Sequence, residues 1–235
     1  MIYVTSDLHG FPHNDFLTLL RQAKFSGDDF LFVLGDVIDR NGDGGIETLL
    51  WMTEQSNVAL LKGNHEAMLL ACDFIFDEIT DAMLNRLNDD ALATLQTWMY
   101  NGANPTIDSL MNLHRENPDE FCNLLAYIRT ASLYERVSLP SGKFLLTHAG
   151  IGNFKRGKPL SAYSPHDFLW HRPSIREKYY SDAITVFGHT PVWYYGVKDG
   201  HMLRTETWID IDTGAAGGGK PMLLRLDDLM EFYLE

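Results

Sequence analysis

Asp7, His9, Asp36, Asp39, Asn64, His65, His148 and His189 supply three carboxylates, one amide and four imidazoles. They fall in five short segments: Asp7-Leu8-His9, Gly35-Asp36-Val37-Ile38-Asp39-Arg40, Gly63-Asn64-His65-Glu66, Thr147-His148-Ala149-Gly150 and Gly188-His189. Hard oxygens mixed with imidazoles suit Mn²⁺, Fe or Zn²⁺. Two such cations held close together clamp both oxygens of an in-line displacement at phosphorus. The chemistry this inventory points to is therefore metal-assisted hydrolysis of a phosphoric ester.

Each segment has its own reasoning. A spacing of two puts Asp7 and His9 on one face of a strand, although, for that pair taken alone, a strand-end turn is the commoner explanation. Gly35 lets the chain turn sharply, so Asp36 can offer both oxygens and bridge two cations. Arg40 beside it carries a planar fork that binds phosphate oxygens bidentately; the plainer alternative is an Asp–Arg surface pair. Asn64 and His65 are adjacent, so a tight turn aims them differently. Asn64 then offers a neutral carbonyl ligand. His65, aimed away from the metals, can act as a general acid oriented by Asp39. Glu66 reads as an acid in the first turn of a helix. His148 and His189 each follow an apolar strand and have small neighbours that permit close approach.

The elements that must position these groups are legible. Ile2 to Ser6, Phe30 to Leu34 and Val58 to Leu61 read as buried strands, and Asp15 to Lys24 and Ile46 to Glu54 as helices. This alternation predicts a parallel sheet covered by helices, with ligands beyond the carboxyl ends of the strands. Residues 67 to 134 read as a helical insertion forming one wall of a cleft. Strands return at Lys143 to Leu146 and Ala183 to Phe187. Trp208 to Asp212, Met222 to Leu226 and Met230 to Leu234 suggest a second sheet facing the first. The whole, 1–235, reads as one domain.

Composition narrows the class. The 235 residues are 45% hydrophobic and 22% charged, which suits a globular core. A net charge of −13 argues against a general nucleic-acid binder, so an anionic substrate must be drawn in by local positive charge. Cys72 and Cys122 read as small core residues rather than a disulfide. The amino-terminal segment reads as a strand leading into a metal motif, and no signal peptide is expected there. No run approaches the ~18 apolar residues of a membrane span, so the expectation is a cytoplasmic protein without membrane or nucleic-acid partners. Gly214 to Lys220 imitates the start of a nucleotide-binding P-loop, but Pro221 stands where Ser or Thr is required, and a Gly-rich turn between strands is expected. His13, His114, His166, His171 and His201 read as surface or helix-end residues, with His171 nearest to a substrate role. Trp193-Tyr194-Tyr195 reads as a sheet-packing patch that could alternatively stack on a base or a peptide.

The order and spacing of the five segments resemble the metallo-dependent, calcineurin-like phosphoesterases of the phosphoprotein phosphatase family, especially small bacterial and phage members. The resemblance runs from Ile2 to about Lys220. It implies an α/β fold, an αββα sandwich of two facing mixed sheets flanked by helices. It implies Asp7, His9 and Asp36 on one metal, and Asp36, Asn64, His148 and His189 on a second. Mn²⁺ is the first choice, with Fe, Zn²⁺ or Ni²⁺ admitted by the same donors. Arg40, Asn64 and a second arginine would meet the substrate. Phe168-Leu169-Trp170-His171-Arg172-Pro173 is similar to the family's Leu-Trp-x-Arg segment, which favours Arg172, with Arg176 as runner-up. His65, Asp39, Arg40 and Arg172 would carry catalysis, with a hydroxide bridging the metals attacking phosphorus directly. The family's usual Gly after Asp-Arg is Asn41 here, a residue that tolerates left-handed angles, and Asp43 adds an acid to a longer loop. The leading substrate is phosphoserine or phosphothreonine in proteins. The alternatives are symmetrical cleavage of a dinucleoside tetraphosphate and, from another class, a non-catalytic metal- or phosphate-binding module.

Overall fold

The computed structural model describes residues 1–78, 80–84, 87–198 and 200–235. Two mixed five-stranded sheets lie face to face, as the resemblance implies. The first has the order β10-β9-β1-β2-β3 and the second β4-β5-β6-β8-β7. In the first, β1 (Ile2–Thr5), β2 (Phe30–Val33) and β3 (Val58–Leu60) run parallel, with β9 (Met222–Arg225) and β10 (Met230–Tyr233) antiparallel beside β1. The second sheet has β5 (Gly142–Thr147), β6 (Ile184–Phe187) and β8 (Trp208–Asp210) parallel, and β4 (Tyr134–Leu139) and β7 (Leu203–Arg204) antiparallel at its edges.

Strand alternation builds the layers. Val4, Phe144, Leu146, Val186, Met222 and Leu224 point between the sheets, where they form one buried cluster. Their neighbours point outward: Tyr3 and Leu223 toward the helical layer, Leu145 and Phe187 into a third cluster. Successive side chains on a strand face opposite ways, so one strand serves two layers. Helices α1 (His13–Gln22), α2 (Ile46–Thr53) and α3 (Asn64–Ala71) cover the first sheet. After α4 (Asp81–Leu84), helices α5 (Asp89–Tyr100), α6 (Asn104–Glu116) and α7 (Pro118–Thr130) complete the helical segment. The second sheet's outer face is covered by loops and the short α8 (Pro165–Leu169).

Several expectations are corrected. Met222–Arg225 and Met230–Tyr233 do not belong to the second sheet; they pair onto β1 and make the first sheet mixed. The helical segment begins inside α3, and Tyr134 already lies in β4. Cys72 is buried as expected, but Cys122 is exposed on α7, and neither forms a disulfide. No helix among the described residues is long and apolar enough to cross a membrane.

Candidate metal centre

Six parallel strands end on the same side, and each feeds a loop into one cleft. Asp7 and His9 follow β1, Asp36, Asp39 and Arg40 follow β2, and Asn64 and His65 follow β3. His148 follows β5, His189 follows β6, and Asp212 follows β8. Asp7 and His9 therefore do not share a strand face. β1 stops at Thr5, and both residues have positive φ, 53° and 45°. Asp36, Asp39, Arg40 and His189 also take positive φ, between 53° and 77°. Left-handed angles at so many non-glycine positions cost energy, and strained residues of this kind concentrate at functional sites. Asn41, expected to carry the left-handed turn, does not; Asp39 and Arg40 carry it. The added acid Asp43 is absorbed by accepting the backbone N–H groups of Gly45 and Glu47 at the start of α2.

Close approach explains two of the glycines. A side chain at Gly63 would run into the Asp36 carboxylate, and one at Gly188 into Asp7 and Ser6. Gly188 thus lets the β6 loop close on the β1 loop, and the His189 N–H donates to Asp7 Oδ2 at 2.8 Å. Ser6 Oγ donates to the same oxygen.

Asp36 stands at the centre. Its Oδ2 lies 3.6 Å from His9 Nε2 and its Oδ1 3.4 Å from His148 Nε2. Asp7 Oδ1 lies 3.8 Å from His9 Nε2. His148 Nε2 lies 2.9 Å from Asn64 Oδ1 and 3.2 Å from His189 Nδ1. Two donor groups, His9–Asp36–His65 and Asp36–His148–His189, each bring their ligating atoms within 4.8 Å of one another. Asp36 belongs to both and turns a different oxygen to each, as a bridging carboxylate does. The donor chemistry and spacing fit two divalent cations.

Electrostatics agrees. Burial pushes Asp7 and Asp36 above the usual carboxylate range, and for Asp36 the neighbouring Asp7 and Glu66 add to it. Burial, then the adjacent imidazoles, hold His9 and His189 below their ordinary values. Neutral imidazole is the form that ligates, and a cation would return the carboxyls to their charged, ligating form.

His65 differs from expectation in its direction. Asn64 and His65 are not a free turn but the first residues of α3, and His65 faces the cluster, with Nε2 3.8 Å from Asp36 Oδ2. Its Nδ1 lies 2.5 Å from Asp39 Oδ2, which brings the two together as the sequence suggests. Asp39 is fully buried and also accepts from Trp98 Nε1 at 2.8 Å and Thr106 Oγ1 at 2.6 Å. Trp98 and Thr106 come from α5 and α6, so the helical segment backs Asp39 from behind, and Asn101 between those helices lines the cleft. Burial pushes Asp39 up to about 6 and His65 down to about 3, with the Arg40 charge adding to the latter.

Sequence reasoning missed two kinds of residue. Glu66 is more than an acid in a first helical turn. It is fully buried, and its carboxylate accepts the N–H groups of Asp36, Val37 and Gly63, each at 2.9 Å. That clamp ties the β2 loop to the start of α3. Asp212 lines the cleft, its Oδ1 held by the Gly214 N–H at 2.9 Å. Its neighbour Asp210 is fully buried, with Oδ2 lacking a partner among the described residues and burial pushing its carboxyl well up. The signal was present: two carboxylates two residues apart at the end of a strand.

The cleft above these groups encloses about 340 Å³. Arg40, Arg172, Trp193 and Tyr194 are exposed at its lining, and the half-buried Asn101 and Trp170 complete it. Arg172 Nη1 donates to the His189 carbonyl at 3.2 Å and Thr190 Oγ1 at 3.3 Å. Arg176 is exposed and does not line the cleft. His171 pairs with Glu177 at 2.9 Å instead of reaching the site. Of the three aromatics expected to pack on a sheet, Tyr195 does so against Trp208 of β8, whereas Trp193 and Tyr194 stand exposed on the cleft wall. The Gly-rich segment is the expected turn before a strand, and its Ala216 reaches the cleft.

Converging strand ends, a shared carboxylate and arginines at the rim define a metal-dependent phosphoesterase site, and the calcineurin-like phosphoesterase family matches residues 1–210. The chain belongs to that family, whose members use a dinuclear divalent metal site. It is 25% identical to the asymmetrical bis(5'-nucleosyl)-tetraphosphatase PrpE of Anoxybacillus flavithermus, across 97% of this chain and 92% of that one. It is 31% identical to a symmetrical bis(5'-nucleosyl)-tetraphosphatase of Citrobacter koseri, over 49% of this chain and 36% of that one. Among solved structures, a candidate diadenosine tetraphosphatase superposes with a TM-score of 0.66 at 14% identity, covering 99% of this chain and 91% of that one. A serine/threonine phosphatase of Saccharomyces cerevisiae does so with a TM-score of 0.51 at 16% identity, covering 95% and 72%. These structures share the fold.

Proposed function

We propose that this phosphoesterase hydrolyses a dinucleoside polyphosphate, with a dinucleoside tetraphosphate the first candidate. The observation that carries the reading is the cleft itself, with buried metal donors on its floor, two exposed arginines, and Trp193 and Tyr194 exposed on its wall. Such a cleft matches a substrate with an anionic middle and aromatic ends. The names of the two bacterial relatives support the same class.

In this reading Asp7, His9, Asp36, Asn64, His148 and His189 hold two divalent cations, Mn²⁺ first. The cations would supply charge stabilisation at the phosphoryl oxygens and an acidified water as nucleophile. Arg40 and Arg172 orient the phosphoryl group and take up its developing charge through their planar forks. Asp39 holds His65 through Nδ1 and would stabilise its protonated, imidazolium form, whose Nε2–H faces the cleft and would supply the proton to the leaving oxygen. Trp98 and Thr106 hold Asp39 in turn. The complete donor set favours turnover over sensing, and the proposed location is the cytoplasm.

A second reading, hydrolysis of phosphoserine or phosphothreonine in proteins, is favoured by the exposure of Arg40 and Arg172, which can meet a phosphorylated side chain borne on a polypeptide. A substrate panel in Mn²⁺ separates the two: dinucleoside tetraphosphate, phosphoserine and phosphothreonine peptides, and p-nitrophenyl phosphate. We expect the highest kcat/KM for the dinucleotide. Its products, two nucleoside diphosphates or a triphosphate with a monophosphate, report symmetrical or asymmetrical cleavage. Phosphopeptide turnover with an inert dinucleotide would reverse the assignment.

A further inference from the structure

The metal cleft continues sideways into a second depression of about 350 Å³, lined by Arg172, Pro173, Ser174, Ile175, Tyr194 and Tyr195. Arg172 and Tyr194 belong to both spaces. Three large apolar side chains remain in water around this junction: Trp193 at 64% exposure, Tyr194 at 63% and Ile175 at 53%. One exposed apolar residue needs no explanation, but three around one opening mark an interaction site.

The sequence holds this wall rigid. Val192 to Tyr195 form a single 3₁₀ turn whose Val192 is buried. Tyr195 OH donates to the Pro173 carbonyl at 2.8 Å, tying the turn to the segment that carries Arg172 and Ile175. The Tyr195 ring lies 5.9 Å from Trp208 and meets Tyr194 edge-on at 5.5 Å. The backbone that carries Trp193 and Tyr194 is thus tied down, which lowers the ordering cost of binding at Tyr194. A flat, apolar ligand is invited, and Arg172 at the junction asks that it carry a phosphate.

We infer that Tyr194, flanked by Ile175 in the side groove and Trp193 in the metal cleft, seats the nucleobase of a nucleoside phosphate, with Arg172 on the phosphate that joins base and metal centre. This deepens the nucleotide reading above and rests on it. Stacking on aromatic side chains is tolerant of base identity, so the seat should accept any nucleobase and reject a bare phosphate.

The test uses the full, Mn²⁺-loaded chain, with AMP and inorganic phosphate as competing inhibitors of p-nitrophenyl phosphate hydrolysis. AMP should bind about 10-fold more tightly than phosphate, the scale of one base–aromatic stack. Tyr194→Ala should remove most of that ratio, Tyr194→Phe should keep it, and Ile175→Ala should lower it. Both side chains are exposed, and circular dichroism checks that each variant folds. Equal inhibition by AMP and phosphate in the native chain, or a ratio indifferent to Tyr194→Ala, overturns the seat. A phosphoserine peptide whose inhibition alone depends on Tyr194 also overturns it and assigns the wall to peptide. Turnover of dinucleoside tetraphosphate is scored separately. Turnover with a ratio of one removes the seat and leaves the substrate reading. A Tyr194-dependent ratio without turnover keeps the seat and removes the tetraphosphate substrate.

Discussion

Asp39 accepts hydrogen bonds from Trp98 and Thr106 and meets His65 Nδ1 at 2.5 Å, so the imidazole is set by a carboxylate that is itself immobilised. Groups arranged in series act as a unit, and their losses should not multiply. His65→Asn should lower kcat by roughly 10²–10⁴ for an alkyl phosphate, the range of a lost general acid, with metal content measured alongside because His65 shares a donor group with His9 and Asp36. The loss should be smaller for p-nitrophenyl phosphate, whose leaving group departs without a proton. Asp39→Asn alone should hurt less, and added to His65→Asn should do little more. Steady-state kinetics of the two single variants and the double variant, on both substrates, check this. Equal deficits for both leaving groups would remove His65 from the acid role.

At the level of elements, α8 shows how a short segment positions the site. Asp167 closes a capping box with Ser164 and accepts from Asn153 Nδ2 at 2.7 Å. The Asp167 and Phe168 carbonyls then accept the Gly152 and Ala149 N–H groups, fixing the loop that follows His148. Burial tends to raise the Asp167 carboxyl, but the Asn153 and Ser164 hydrogen bonds outweigh it and hold it below 3.8. A depressed carboxyl stabilises the fold fully above the unfolded value, and that stability is lost as pH falls through the folded value. Asp167→Ala should therefore cost about 1–2 kcal/mol at pH 7, the scale of lost hydrogen bonds to a carboxylate, and the difference from the native chain should shrink as pH falls below 3.8. Denaturant melts at neutral and acid pH check it. Little of this was legible in the sequence. The motifs after β1, β2, β3, β5 and β6 were visible, because each places chemistry after an apolar run. The return of β9 and β10 to the first sheet was not, because their alternation fits either sheet and only long-range pairing decides. Nor was the Glu66 clamp, because three backbone amides leave no mark on side-chain patterning.

For the molecule as a whole, six parallel strand ends gather Asp7, Asp36 and Asp212 into one buried pocket of a chain with net charge −13. Burial, and the carboxyls' mutual repulsion at Asp36 and Asp212, raise all three above 3.8. A raised carboxyl weighs against the fold above its folded pKa, and this cost vanishes below 3.8. Divalent cations should relieve it, so Mn²⁺ should raise the melting temperature at pH 7, and by less at pH 5, where protons compete for the same oxygens. Calorimetry at the two pH values checks the sign. The account stands most directly on the two-metal centre shared through Asp36. Metal content by elemental analysis and phosphate-ester turnover should be measured on the same preparations, before chelation, after it, and after Mn²⁺ is returned. We predict two divalent ions per chain, turnover lost on chelation and regained with Mn²⁺, and an Asp36→Asn variant deficient in both metal and rate. Full turnover in metal-free protein would contradict the account.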